Sequence, residues 1–166
     1  MPFLNIVQPD IIEIDEKLRL KKVLKDDYHM ALMWYQNPRV LYYSEGVTDN
    51  LYDMNVINRM YEFLNGIGEL YFIEVLEDKW HAIGDVVLSK DNMPIVIGED
   101  RYSGIGIGKK AIATLIERAK VIGLEKIKIP AIYKYNDRSR NLFLSFGFTK
   151  VEENDNEESY ELILLG

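Results

Sequence analysis

The chain has 166 residues, 48% of them apolar, and a formal charge of −7. That length supports one well-buried core rather than two, so a single domain over residues 1–166 is expected. The absence of cysteine and the presence of only two histidines, His29 and His81, exclude disulfides and thiol nucleophiles and argue against a metal site, while the acidity disfavours a general nucleic-acid binder.

No run approaches the roughly 18 apolar residues of a membrane helix. Residues 1–10 lack the basic start and apolar centre of a secretory signal, so a soluble cytoplasmic protein with no membrane partner is expected. Residues 1–17 carry no readable element. Residues 18–25 alternate apolar and basic side chains with period two, which predicts a half-buried strand. Asp26 or Asp27 is placed to cap a helix running to Gln36, where Asn37-Pro38 stops it. The aromatic stretch 41–46 reads as a loop, and a second helix is expected over 51–64, with Asp49 or Asn50 near its start and Gly66 and Gly68 at its end. Residues 69–76 and 80–89 form an antiparallel hairpin around Glu77-Asp78-Lys79, and 93–98 a third strand. A glycine-rich turn leads into a helix ending at Gly123. Beyond it come a strand at 126–132, a helix at 137–146, and strands at 147–151 and 159–164 around the acidic loop 152–158. The order βααβββαβαββ predicts an α+β fold with a mixed, mostly antiparallel central sheet and flanking helices.

The turn itself, Ser103-Gly104-Ile105-Gly106-Ile107-Gly108-Lys109, is the most specific local signal. Three alternating residues without a Cβ, opening a helix, suit a backbone that wraps a phosphate on its amides. A P-loop does not fit, because Lys110 stands where Ser or Thr is needed and Ser103 where the first glycine belongs. The dinucleotide fingerprint fits poorly, since the spacing is GxGxG and the glycines follow about 100 residues that already include a hairpin. A plain strand-to-helix connection would need only one or two glycines.

Residues 93–148 resemble the core of the GNAT superfamily of N-acetyltransferases. The family's loop pattern, Arg or Gln, two residues, Gly, one residue, Gly or Ala, falls on Ser103, Gly106 and Gly108, with Gly104 as an additional glycine; Arg101, Gly104 and Gly106 give a second frame, farther from the helix start. Its downstream motif falls on Asn136, Ser139, Leu142-Phe143 and Gly147-Phe148. Ile97-Gly98-Glu99 with Tyr102 looks like branches that modify polyamines, aminoglycosides or ribosomal-protein N-termini, and Ile83-Gly84-Asp85 adds a weaker match.

The resemblance implies acetyl-CoA as cosubstrate, lying where two neighbouring strands splay apart. Main-chain groups of Val96, Ile97 and Gly98 would pair with the pantetheine, and the amides of Gly104, Ile105, Gly106, Ile107, Gly108 and Lys109, beside Ser103, would hold the pyrophosphate, helped by Lys109, Lys110, Arg138 or Arg140. Asn136 would bind near the thiol, although it is equally placed to cap the following helix, and Asn141 is a further cofactor candidate. Two familiar catalytic positions are altered: the tyrosine acid is Phe143 and the strand glutamate is Ala131. Tyr133 or Tyr135 is left as acid, and Glu45, Asp85 or Glu99 as base, with Glu45 favoured because Tyr42 and Tyr43 offer an aromatic wall for a cation. The expected activity is direct acetyl transfer to a primary amine, either a small cationic amine or a protein N-terminus, with a homodimer as a possible assembly. The rivals are a non-catalytic acyl-CoA-binding module and a small nucleotide-binding protein.

Overall fold

The computed structural model describes residues 2–46 and 52–164. Its centre is the hairpin of β3 (Glu69–Leu76) and β4 (Trp80–Leu88), apolar along nearly its whole length because both faces of the sheet are covered. With β1 (Ile11–Asp15), β2 (Leu18–Lys22) and β5 (Ile95–Ile97) it forms a five-stranded sheet in the order β1-β2-β3-β4-β5, each pair antiparallel. One face packs Tyr71, Ile73, Ile83 and Val86 against Ala111, Ile112, Leu115 and Ala119 of α3 (Ile107–Ile122). The other packs Leu70, Phe72 and Val87 against Leu41 of α1 (Pro38–Glu45) and Ile57 and Tyr61 of α2 (Met54–Ile67).

A second antiparallel sheet has the order β6-β8-β7, from β6 (Lys126–Tyr133), β7 (Thr149–Glu153) and β8 (Glu157–Ile163), with α4 (Asp137–Leu144) joining β6 to β7. Ile127, Ile129 and Ile132 of β6 enter the same core as β3 and β4, so the two sheets share one packed layer. Yet β5 and β6 form no ladder with each other among the described residues, and the combined sheet is open between them.

The α+β class, the antiparallel sheet and the flanking helices agree with the sequence reading, and four local expectations are corrected. The helix expected from Asp26 or Asp27 to Gln36 is instead two short 3-10 segments, Lys25–Ala31 and Trp34–Gln36. The loop expected at 41–46 is the body of α1. Pro38 does stop the preceding segment, holding Asn37 extended, but its fixed φ also suits the first position of a new helix. Asn37 caps it by accepting the Arg39 amide at 2.9 Å, and Gly46, at φ 74°, ends it. Strand β1 had no expected counterpart. The second helix begins after its cap Asp53 and runs through Gly66 to Gly68, while Asp49, Asn50 and Leu51 lie outside the described residues.

Candidate functional site

The glycine turn takes the shape its residues demand. Gly104 and Gly106 have φ of 76° and 94°, a region closed to most side chains, and Gly106 stands immediately before α3. The first amides of α3 therefore point into the turn without helical partners, and the helix N-terminus adds partial positive charge. Gly108 lies within α3, and a Cβ there would make only ordinary contacts, 3.6 Å from Ile95 and 3.7 Å from Leu142. Arg138 reaches over from α4, its Nη1 donating to Ser103 Oγ at 2.5 Å, which places Ser103, Gly104 and a guanidinium together. Lys109 is exposed on the same turn. The other two expected phosphate cations are paired elsewhere: Lys110 bonds Asp15 at 2.9 Å, and Arg140 bonds Glu158, Asp137 and the Lys134 carbonyl.

The strand before the turn offers its groups unevenly. In the β4–β5 ladder the Gly98 amide donates to the Ile83 carbonyl at 2.7 Å and the Val87 amide to the Pro94 carbonyl at 3.0 Å. Antiparallel alternation then turns the main-chain groups of 94, 96 and 98 toward β4 and those of Ile95 and Ile97 toward the opening. Val96 and Gly98 are thereby corrected as main-chain ligands. The Val96 carbonyl is so close to β4 that a Cβ on Gly84 would lie 2.1 Å from it, and Gly98 is covered by Trp34. Ile97 remains on the open edge, its carbonyl accepting from Arg39 Nη2 at 3.0 Å.

Across the opening stands a tyrosine wall. Tyr42 stacks on Tyr135 at 4.3 Å, Tyr135 on Tyr133 at 5.3 Å, and Tyr43 meets Tyr42 edge-on at 5.2 Å. The Tyr135 hydroxyl donates to the Tyr42 carbonyl at 2.5 Å, so this acid candidate is already held by the main chain of α1. Glu45 ends the same helix beside Tyr52, whose phenol is pushed up by burial and then by that carboxylate. Tyr52 in turn stacks on Tyr35 at 5.3 Å.

Tyr35 leads to the second carboxyl candidate. Asp85, on β4 directly opposite Val96, is only 2% exposed and sits on the face that carries α1 and α2. Its Oδ2 accepts the hydroxyls of Tyr35 at 2.7 Å and Tyr61 at 2.6 Å, leaving Oδ1 outside the phenol pair. Burial pushes Asp85 from the ordinary 3.8 up to about 6, the two phenols pulling the other way. The phenols themselves are driven well above their usual range by burial and by Asp85. Sequence reasoning placed Tyr35 near the pocket as an aromatic but missed Tyr61 and the pairing of both phenols with Asp85; a lone aspartate in an apolar strand was the only signal that a buried partner must exist. Glu99, by contrast, is engaged by His81 and by Arg101 at 3.2 Å.

Around α4, Asn136 caps the helix by accepting the Ser139 amide at 3.2 Å, while its Nδ2 donates to the Tyr43 carbonyl at 3.4 Å. Replacing Asn136 by alanine is expected to lower stability by about 1 kcal/mol, read as a shifted urea midpoint with unchanged slope. Asn141 is exposed on α4. Phe143 is buried against Phe148 at 5.2 Å, and Ala131 is exposed on β6 beside the break in its register with β8.

Residues 66–148, half of the chain, match the Acetyltransferase (GNAT) family. The chain belongs to the GNAT family. No curated protein sequence matches it. A domain from Methanocaldococcus jannaschii is 24% identical, with a TM-score of 0.78 over 90% of this GNAT chain and 100% of that one. The microcin C7 self-immunity acetyltransferase MccE, solved with acetyl-CoA and AMP, is 18% identical, with a TM-score of 0.73 over 95% and 98% of the two chains. Spermidine N-acetyltransferase from Vibrio cholerae, solved with CoA and spermine, is 15% identical, with a TM-score of 0.71 over 90% and 96%. At these identities the likeness establishes the GNAT fold. Among the described residues no helix is long and apolar enough to cross a membrane.

Proposed function

We propose that this GNAT protein is a cytoplasmic enzyme that transfers the acetyl group of acetyl-CoA to a primary amine by direct attack. The observation that carries the reading is the edge of β5, which pairs with no further strand among the described residues and runs into the glycine turn at the start of α3, with the buried carboxyl of Asp85 one strand away. An extended donor would lie along the Ile95 and Ile97 edge, its phosphates on the amides of residues 104–109 beside Arg138. Its acetyl end would enter the opening between β5 and the tyrosine wall.

An alkyl amine with a pKa near 10.4 is neutral in only about one molecule in a few thousand at pH 7, a handicap of roughly 4.6 kcal/mol. Removal of that proton falls to Asp85, a buried carboxyl pushed up to about 6 whose Oδ1 lies outside the phenol pair. The neutral nitrogen then forms a bond to the thioester carbon, the carbon–sulfur bond breaks, the sulfur leaves as the thiolate of CoA, and the nitrogen sheds its surplus proton to solvent as the amide forms. With Phe143 in place of an acid, that thiolate, of ordinary pKa near 8.5, takes its proton from solvent. Glu45 then serves the acceptor rather than the proton, holding an ammonium group at the mouth beside Tyr52 and Tyr133. The spermidine enzyme among the structural neighbours and the charge of −7 both favour a small cationic amine.

Incubation with acetyl-CoA and a panel of spermine, an aminoglycoside and an N-terminal peptide, with free thiol followed, tests the reading. Thiol release with spermine is expected; CoA binding without release for any amine would identify a non-catalytic acyl-CoA module. Glu45→Gln is expected to raise the KM for spermine about threefold and leave CoA affinity unchanged, as befits an exposed cation contact.

A further inference from the structure

Arg39 stands where the donor edge meets the acceptor wall, and nothing in the chemistry above uses it. Helix α1 bridges the opening between the two sheets. Its first turn is tied to the β5 side: Arg39 Nε donates to Asp100 Oδ1 at 2.5 Å, Arg39 Nη2 to the Ile97 carbonyl at 3.0 Å, and Asn37 Nδ2 to Asp100 Oδ1 at 3.1 Å. Its last turn is tied to the β6 side by the Tyr135 hydroxyl on the Tyr42 carbonyl, by Asn136 on the Tyr43 carbonyl, and by Gly46, where any Cβ would lie 2.9 Å from the Tyr133 hydroxyl. A helix of eight residues, roughly 12 Å long, moves as one body over that span.

We propose that Arg39 is a positioning residue that couples the donor edge of β5 to the acceptor wall on α1. The coupling runs through one atom. The Ile97 carbonyl faces the opening, where an amide-bearing arm added to this edge would use it, and it is also the carbonyl that Arg39 holds from α1. Asp100, the other end of the tie, begins the short segment Asp100–Tyr102 that leads into the glycine turn. A ligand that fixes the edge and the turn therefore fixes both anchors of Arg39, and through them Tyr42, Tyr43 and Glu45. Arg39 itself is not required to touch the donor. Its fork lets one side chain hold a carboxylate and a carbonyl together, which the single ammonium of lysine does not do.

The inference rests on acetyl-CoA as the donor, and amide hydrogen exchange with CoA itself as the probe separates the two ideas. In the wild-type protein, saturating CoA is expected to slow exchange across residues 40–46 by at least about fivefold, the low end of ordinary site-to-site coupling. In R39A, CoA should still bind with a dissociation constant within about twofold of wild type, while the slowing over α1 disappears. R39K should retain the Asp100 pair and only part of the slowing, which keeps the test in force if R39A folds poorly. Slowing that persists in R39A, slowing absent from a wild-type protein that binds CoA, or a loss of CoA affinity in R39A that makes Arg39 a plain donor contact would each overturn the coupling. A wild-type protein that fails to bind CoA would instead reject the donor assignment.

Discussion

Gly106→Val is expected to raise the dissociation constant for CoA about a hundredfold, because two or more charge-assisted hydrogen bonds, each about 1.5–3 kcal/mol, depend on the backbone shape at this residue. Gly106 holds φ at 94°, where a β-branched side chain is strained by about 1–3 kcal/mol. The chain can relieve that strain only by rotating the peptide units on either side, which turns the following amides of Ile107, Gly108 and Lys109 away from a common point. A Cβ at Gly106 meets no atom within 4 Å, so packing is untouched and the protein should stay folded, with a stability loss no larger than the strain itself. Calorimetric titration with CoA alongside a thermal melt separates the two effects. Unchanged affinity in a folded variant would remove the phosphate cradle from this turn, whereas Gly106→Ala should fall between wild type and valine in both measurements.

The turn was legible in the sequence because its information is local: a missing Cβ at 104 and 106 permits a backbone path that other residues resist. The β3–β4 hairpin was legible for a similar reason, eight or nine largely apolar residues on either side of a polar turn. Helix α1 was not, since Pro38 both stops one segment and starts another, and the sequence alone does not rank the two. Long-range partnership was the larger gap. Asp85 reads as one acid in an apolar strand, but the hydroxyls that hold it in place belong to Tyr35 and Tyr61, 50 and 24 residues away. Arg39 meets Ile97 across 58 residues, with no local signature. Conversely, Lys110 and Arg140 look like free cations near a phosphate loop until Asp15 and Glu158 are placed beside them. Asn136 belongs to both classes: its capping role follows from its position before α4, and its contact with Tyr43 does not.

Asp85→Asn is expected to lower turnover by about a hundredfold or more, the usual contribution of a positioned base, while making the protein more stable at neutral and alkaline pH. The two effects share one cause. Burial raises the folded-state value of Asp85 from 3.8 to about 6, so folding favours the protonated form. A group raised in this way contributes its stability fully below the unfolded value and loses it as pH climbs through the folded one. Between about pH 4 and pH 6 the wild-type protein therefore gives up roughly 3 kcal/mol through this residue and does not regain it at higher pH. Asparagine does not titrate, and its amide oxygen can still accept both phenols at the position of Oδ2. Urea titrations of the variant and the wild type should thus diverge above pH 6, the variant being the more stable, and converge near pH 4. Activity should separate along the same axis: wild-type kcat/KM rises with pH through an apparent pKa near 6, and the residual rate of the variant lacks that step. A variant that keeps full turnover with the same pH profile would transfer the base to Glu45. A variant that loses stability at every pH would mean that the carboxylate is held in the fold by more than its two phenols. Loss of turnover together with a gain in stability at pH 8 is the outcome that a buried base at this position requires, because the desolvation that would make Asp85 basic is the same desolvation that weakens the fold.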